Sequence, residues 1–214
     1  MKAVWPWLVL ACLGAFHGIN PGMGWLFAVA LGLQEKSQQA VRRALLPIAL
    51  GHAASIGVVV LVVGLLQSVL PEYVVRYLCA AALGVFGCTR LIRARHPRWV
   101  GMRVGFRDLT LWSFLMASAH GAGLMLVPVL LQWPAGDASH YRLMAALWPP
   151  SALTSPALIL AAVGVHTLSL FLVTSAVALL VYEKLGVAFL RHAWLNLDVL
   201  WAAALCIAGV MALV

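Results

Sequence analysis

Four histidines lie inside long apolar stretches of this 214-residue chain, where polar side chains are rare. Neutral imidazole is the commonest protein ligand for nickel, cobalt, zinc and copper, and it also exchanges protons near neutral pH. A histidine in such a stretch can equally make one structural hydrogen bond and do nothing more. Because there are four, a shared functional site is an equal alternative; the residues are His17, His52, His120 and His166.

Sulfur and amide donors lie close in sequence to two of these histidines. Asn20 and Met23 follow His17 within two helical turns, and Met125 follows His120. A donor set that is poor in carboxylates suits a borderline or soft transition metal better than Mg²⁺ or Ca²⁺. The predicted substrate or metal site is His17, Asn20, Met23, His120 and Met125, with His52 and His166 nearby.

The elements that position these residues are predicted from the composition. Hydrophobic residues make up 64% of the chain and charged residues only 9%, against roughly a quarter charged in a soluble domain. So few charged side chains cannot form the polar shell of a soluble protein, which excludes a soluble enzyme. We therefore expect a polytopic membrane protein with no enzymatic activity.

The expected fold is all-α, with six transmembrane helices and a broken first helix. The break is predicted at the segment HGINPGMG, residues 17–24, where Pro21 and the glycines weaken the helix. Pro128 could kink the fourth span in the same way. The apolar runs place the six spans near residues 4–33, 44–70, 73–92, 109–133, 157–182 and 188–213.

Three short motifs recur in the same order in the two halves of the chain. This pattern predicts a single transmembrane domain, residues 1–214, built from a repeat at about 4–92, a basic cytoplasmic loop at 90–108 and a repeat at about 109–213. The motif pairs are AFHG (15–18) with SAHG (118–121), HAAS (52–55) with HTLS (166–169), and AAALGVFG (80–87) with AAALCIAG (202–209).

Each repeat holds three spans, so the two halves enter the membrane from opposite sides and the repeat is inverted. His17 and His120 fall near the middle of their predicted spans, whereas His52 and His166 fall on opposite sides of the middle. Inverted repeats are a recurring plan of transporters, whose binding site lies at the midplane beside broken helices.

The basic residues predict the orientation, because cytoplasmic loops collect Lys and Arg. With both termini outside, eleven basic residues lie in inner loops and three in outer segments. This distribution explains the net charge of +8 without nucleic acid as a partner. We expect a multi-pass protein of a bacterial-type inner membrane whose partners are the lipid bilayer and a small ion or solute, with a homodimer left open.

The chain resembles a superfamily of small six-helix inverted-repeat proteins. It groups LysE-type exporters, NicO-type nickel and cobalt permeases, the UreH-like membrane domain and CcdA/DsbD-type electron conduits. The local resemblance is to the UreH-like pattern G-x-x-H-C-x-G-M-C-G, of which this chain has Gly14, His17, Gly22, Met23 and Gly24. Both cysteines of that pattern are absent, and an Asn-Pro pair is inserted.

The favoured function is movement of a transition metal ion across the membrane as substrate, in the export direction, with no other cofactor expected. Asp198 is the only acidic residue deep in a span and is predicted to couple transport to protons. The alternatives are an ion pair with a nearby arginine or a position in the inner headgroup region. Two other functions stay open. One is export of an amino acid or other small organic solute, and the other is a membrane redox protein with histidine-ligated haem or copper.

Overall fold

The computed structural model describes residues 4–92, 105–133, 156–185 and 197–213, and none of these residues lies in a strand. For residues 90–92, 185, 197 and 198 it describes the backbone alone. The predicted all-α class is confirmed. The helices are α1 (Trp5–Ile19), α2 (Trp25–Glu35), α3 (Gln38–Val69), α4 (Glu72–Ile92), α5 (Phe106–Ala119), α6 (Ala122–Leu131), α7 (Pro156–Leu180) and α8 (Leu197–Met211). A 3₁₀ turn (Pro21–Met23) joins α1 to α2, and a π-helical turn (Val181–Leu185) follows α7.

The predicted break in the first helix is confirmed. Helix α1 ends at Ile19, and the Asn20 side chain accepts a hydrogen bond from the Gly22 amide at 2.9 Å to begin the 3₁₀ turn. Gly24 then has φ of 122°, which a residue with a Cβ rarely adopts, and α2 begins after it. Pro21 has no amide to donate, so the helical ladder cannot continue through it.

A second break separates α5 from α6, and the two helices meet at a bend of 57°. The break falls at His120 and Gly121, where Gly121 has φ of 70° in the left-handed region. Pro128 lies inside α6 without ending it. The bend expected from Pro128 therefore lies about two turns earlier, because a glycine in the left-handed conformation terminates a helix.

Backbone carbonyls that the two breaks release are paired with side chains. The indole nitrogen of Trp25 donates to the Ile19 carbonyl at 2.9 Å, and that of Trp201 donates to the His120 carbonyl at 2.8 Å. Thr174 of α7 donates to the Gly18 carbonyl at 3.4 Å. Broken backbone is tolerated in an apolar interior only where such partners exist.

Helices from the two halves of the chain pack against each other. Helix α1 lies along α7, α3 along α5, and α4 along α8. A Cβ on Gly14 would collide with the His166 carbonyl oxygen, and one on Gly51 with the Thr110 carbonyl oxygen. Small residues of this kind let helix backbones approach closely, as in membrane helix packing.

The described helices expose many large apolar side chains and bury several polar ones. Large apolar side chains point outward from the long helices, with Val69 of α3 80% exposed and Leu160 of α7 73% exposed. The buried polar side chains in the described ranges are His17, Asn20, His52, Ser55, Ser113, His120, His166 and Thr174.

Two described helical segments are long and apolar enough to cross a membrane, Gln38–Val69 and Pro156–Lys184. A third span results if α5 and α6 are counted as one bent crossing. Helices α1, α2 and α8 are shorter apolar helices in the described part of the chain. These segments are compatible with a membrane protein, and the six predicted spans stay a prediction. Residues 93–104 of the predicted basic loop lie outside the described residues.

Candidate metal centre

Three of the four predicted histidines come together in the interior. His17 stands in the last turn of α1, His52 in the middle of α3 and His166 in the middle of α7. One ring nitrogen from each lies within 4.8 Å of the others, and all three side chains are fully buried. We call these three residues the histidine trio. Among the histidine, cysteine, aspartate and glutamate side chains of the described residues, it is the group whose ligand atoms lie close enough together to hold a metal ion.

The ring of His17 is oriented by its own helix. Its Nδ1 lies 2.6 Å from the carbonyl oxygen of Leu13, one turn earlier. A carbonyl only accepts, so Nδ1 carries the hydrogen and Nε2 presents its lone pair to the trio. In the described structure His17 Nε2 has no hydrogen-bond partner. Metal-ligating histidines are held in this way, with the second ring nitrogen donating to a carbonyl.

His52 and His166 contact each other directly. Their Nε2 atoms are 3.3 Å apart, the ring planes are within 4° of parallel and the ring centroids are 5.5 Å apart. With the nitrogens so much closer than the centroids, the rings meet nitrogen to nitrogen and not face to face. One neutral ring therefore donates an N–H to the other.

The separation of these nitrogens also suits a bound ion. Two ligands of a tetrahedral ion with metal–nitrogen bonds of about 2.0 to 2.1 Å lie roughly 3.3 Å apart. An ion would replace the N–H···N hydrogen bond after the two rings tilt toward a common point. Three neutral nitrogen donors then leave one tetrahedral position open, as in zinc sites that exchange a ligand.

His120, the fourth predicted histidine, is buried but does not belong to the trio. Its Nδ1 lies 2.8 Å from the carbonyl oxygen of Met116, again one turn earlier. A Cβ built on Gly22 would lie 3.6 Å from His120 Nε2, so this ring faces the break between α1 and α2.

The other predicted site residues have structural neighbours. Asn20 caps the 3₁₀ turn through its side-chain oxygen. Met23 and Met125 are buried in an apolar cluster that includes Trp201 and Leu205. The side chain of Asp198 lies outside the described residues. Arg76 precedes the motif 80–87 by four residues, as Asp198 precedes the motif 202–209, and it forms an ion pair with Glu72 at 2.8 Å.

Trp201 is a site residue that the sequence analysis did not single out. Its buried indole meets the His17 ring edge-on at 4.5 Å and the His120 ring at 5.6 Å between centroids. Phe16 stacks on its face at 5.3 Å. Tryptophan in a membrane protein is expected at the span ends, where it anchors the lipid interface. The available signal was its place directly before the second copy of the AAAL motif, inside a span.

Comparison with models of known protein families, with curated protein sequences and with solved structures gives no match for this chain.

Proposed function

We propose that this protein is a membrane transporter that moves a transition metal ion, and that the histidine trio is its binding site. The observation that carries the proposal is the presence of three fully buried histidines, from three helices, with ligand nitrogens within 4.8 Å of one another. Imidazole nitrogens without a carboxylate favour nickel, cobalt, copper or zinc over Mg²⁺ or Ca²⁺.

A buried polar nitrogen without a partner argues for a ligand at this site. In the described structure, His17 Nε2 lacks a hydrogen bond. Burying such a group without a partner costs about 1 to 3 kcal/mol by mutational measure. A bound ion would satisfy His17 Nε2 and would replace the single hydrogen bond between His52 and His166.

The break beside the trio supports transport over a static metal site. Helix α1 ends two residues after His17, and its carbonyls at Gly18 and Ile19 are held by side chains of other segments. Transporters use discontinuous helices at their binding sites, where half-helix ends and unwound backbone carbonyls contact the substrate and the coupling ions.

The proposed architecture is six spans in two inverted repeats. Contacts between α4 and α8 support it, because they repeat when the halves are exchanged. A Cβ on Gly87 would lie 3.2 Å from the Ala202 carbonyl oxygen, and a Cβ on Gly209 would lie 3.4 Å from that of Ala80. These four residues occupy the first and eighth positions of the matching motifs 80–87 and 202–209.

The proposed orientation places both termini outside a bacterial-type inner membrane, with export as the direction of transport. Its support is the distribution of basic residues along the sequence.

The size of the trio favours an ion over an organic solute, since three rings in contact with one another leave no space for a larger molecule between them.

The test uses purified protein, in detergent for binding and in liposomes for transport, with Co²⁺ as the probe. Tetrahedral Co²⁺ bound by histidines gives visible absorption bands, so binding is read directly. We expect wild-type protein to bind and transport Co²⁺, His166→Ala to lose both activities, and His140→Ala, outside the predicted spans, to keep both. Absence of Co²⁺ binding and transport in the wild-type protein contradicts the proposal.

A further inference from the structure

Two histidines from equivalent places in the two halves of the chain meet each other. His52 begins the motif HAAS and His166 begins the matching motif HTLS. Their Nε2 atoms are 3.3 Å apart. Where an approximate two-fold axis relates two halves, a residue contacts its own equivalent only at the axis. The His52–His166 pair therefore belongs equally to both halves.

His17 and His120 are equivalent in the same sense. Each is the third residue of a matching motif, AFHG or SAHG, and each stands beside a helix break. Each ring is held by the same bond, from Nδ1 to the carbonyl of the residue four positions earlier, Leu13 or Met116. Both rings are thus oriented with Nε2 directed away from their own helix.

The surroundings of these two histidines differ. The ring of His17 lies 5.2 Å from that of His52 and 4.9 Å from that of His166. His120 is outside the trio, although it is near enough to interact electrostatically with His17 and His52. Trp201 contacts both rings and donates to the His120 carbonyl. In this structure, His17 is therefore grouped with His52 and His166, and its equivalent His120 is not.

We propose that the protein has a second three-histidine metal site, formed by His120 with His52 and His166 in a conformation in which the two halves have exchanged their shapes. This inference rests on the proposed function. Exchange of the halves maps the His52–His166 pair onto itself and replaces His17 by His120. The same divalent transition metal ion then keeps two imidazole ligands throughout and changes only the third.

Ligand exchange of this kind lowers the barrier to moving an ion through an apolar interior. A metal ion released from all three histidines would be left without donors far from water, which is strongly unfavourable. If His52 and His166 stay bound, the ion needs to move only from its third ligand in one site, His17, to its third ligand in the other, His120. His17 lies in α1 and His120 follows α5, so the two exchanging ligands come from opposite halves of the chain.

The experiment measures Co²⁺ binding in detergent and Co²⁺ transport in liposomes for five variants. They are His17→Ala, His120→Ala, His52→Ala, His166→Ala and the double variant His17→Ala/His120→Ala. We expect each of the first two to bind Co²⁺ with about tenfold weaker affinity, because one complete site remains, and to lose transport. We expect the other three variants to bind Co²⁺ about 100-fold or more weakly, since even the loss of a hydrogen bond to a metal ligand lowers metal affinity about 10- to 100-fold.

A single fixed site gives a different pattern. In that case His17→Ala binds as weakly as His52→Ala, and His120→Ala binds and transports as wild type; either result overturns the inference. Equal affinity of the double variant and His17→Ala also overturns it. If wild-type protein neither binds nor transports Co²⁺, the proposed function itself has failed. Matching His→Gln variants, compared at equal helical circular dichroism, separate loss of a ligand from loss of the fold.

Discussion

The Nε2 atoms of His52 and His166 lie 3.3 Å apart, although 114 residues separate the two in sequence. Neither ring is exposed, so the hydrogen bond between them lies in the protein interior. A buried pair of this kind is held by the packing of α3 against α7, and the third histidine reaches it through the packing of α1 against α7. The site therefore depends on how closely three helices approach.

The close approach of α1 to α7 gives the first prediction. A Cβ on Gly14 would collide with the His166 carbonyl oxygen, in the same helical turn as the trio. We expect Gly14→Ala to lower the free energy of unfolding by about 1 to 3 kcal/mol, as other overpacking substitutions do, and to weaken Co²⁺ binding. Unfolding in mixed detergent–SDS micelles and a Co²⁺ titration measure the two effects.

Gly164→Ala is the matched control for Gly14→Ala. It lies in α7 two residues before His166, and a Cβ there would meet nothing within 4 Å. We expect it to bind Co²⁺ as wild type does and to be no less stable, because alanine favours a helix over glycine. Equal losses in the two variants contradict the packing explanation.

Much of the site could be predicted from the residues. An apolar composition with four isolated histidines predicts buried imidazoles, and His17, His52, His120 and His166 are all buried. Asn-Pro-Gly within an apolar run predicts a helix break, because proline removes a donor, and α1 ends there. These features depend on local chemistry that the sequence displays directly.

Which histidines meet could not be predicted in the same way. Depth in the span made His17 and His120 the expected central pair, but contact depends also on the rotation and tilt of each helix. The tilt follows from glycine contacts between distant segments, as at Gly14 and Gly51. Asn20 was expected as a ligand, and its side-chain oxygen accepts the hydrogen bond of a turn.

The second prediction concerns the break between α5 and α6. Gly121 has φ of 70°, where an L-residue costs roughly 1 to 2 kcal/mol. We expect Gly121→Ala to lower the free energy of unfolding by about this amount, and Gly121→Asn to lower it less, because asparagine tolerates the left-handed region. Unfolding in mixed micelles is the measurement.

A helical glycine in open space provides the comparison for Gly121. Gly57 lies inside α3, and a Cβ there would meet nothing within 4 Å. We expect Gly57→Ala to leave stability unchanged or to raise it by about 0.5 to 1 kcal/mol. A loss at Gly57 equal to that at Gly121 would show that backbone conformation is not the cause.

The third prediction measures a hydrogen bond between α3 and α5. The hydroxyls of Ser55 and Ser118 are 2.8 Å apart, and Ser118 also lies 2.8 Å from the Phe114 carbonyl oxygen. In a double-mutant cycle with alanine, we expect a coupling energy of about 0.6 kcal/mol, the average for such bonds between membrane helices. The control cycle combines Ser55→Ala with Ser169→Ala, because the Ser169 hydroxyl donates to the Ala11 carbonyl in α1 and not to Ser55. We expect no coupling energy in this second cycle.

The fourth prediction concerns Trp201, whose N–H is the donor to the His120 carbonyl at 2.8 Å. Trp201→Phe keeps an aromatic ring but removes this donor. It also leaves space beside the His17 ring, whose centroid lies 4.5 Å from that of the indole in the wild-type protein. We expect the free energy of unfolding to fall by about 1 to 3 kcal/mol, because a buried carbonyl loses a partner. Co²⁺ affinity should fall by about tenfold, since the surroundings that orient a metal ligand contribute about this much.

Trp112→Phe is the control for Trp201→Phe, because Trp112 packs on Phe27, with 4.3 Å between ring centroids, and belongs to no contact of the trio. Trp201→Phe protein that binds Co²⁺ as tightly as the control would exclude a role for Trp201 in positioning His17.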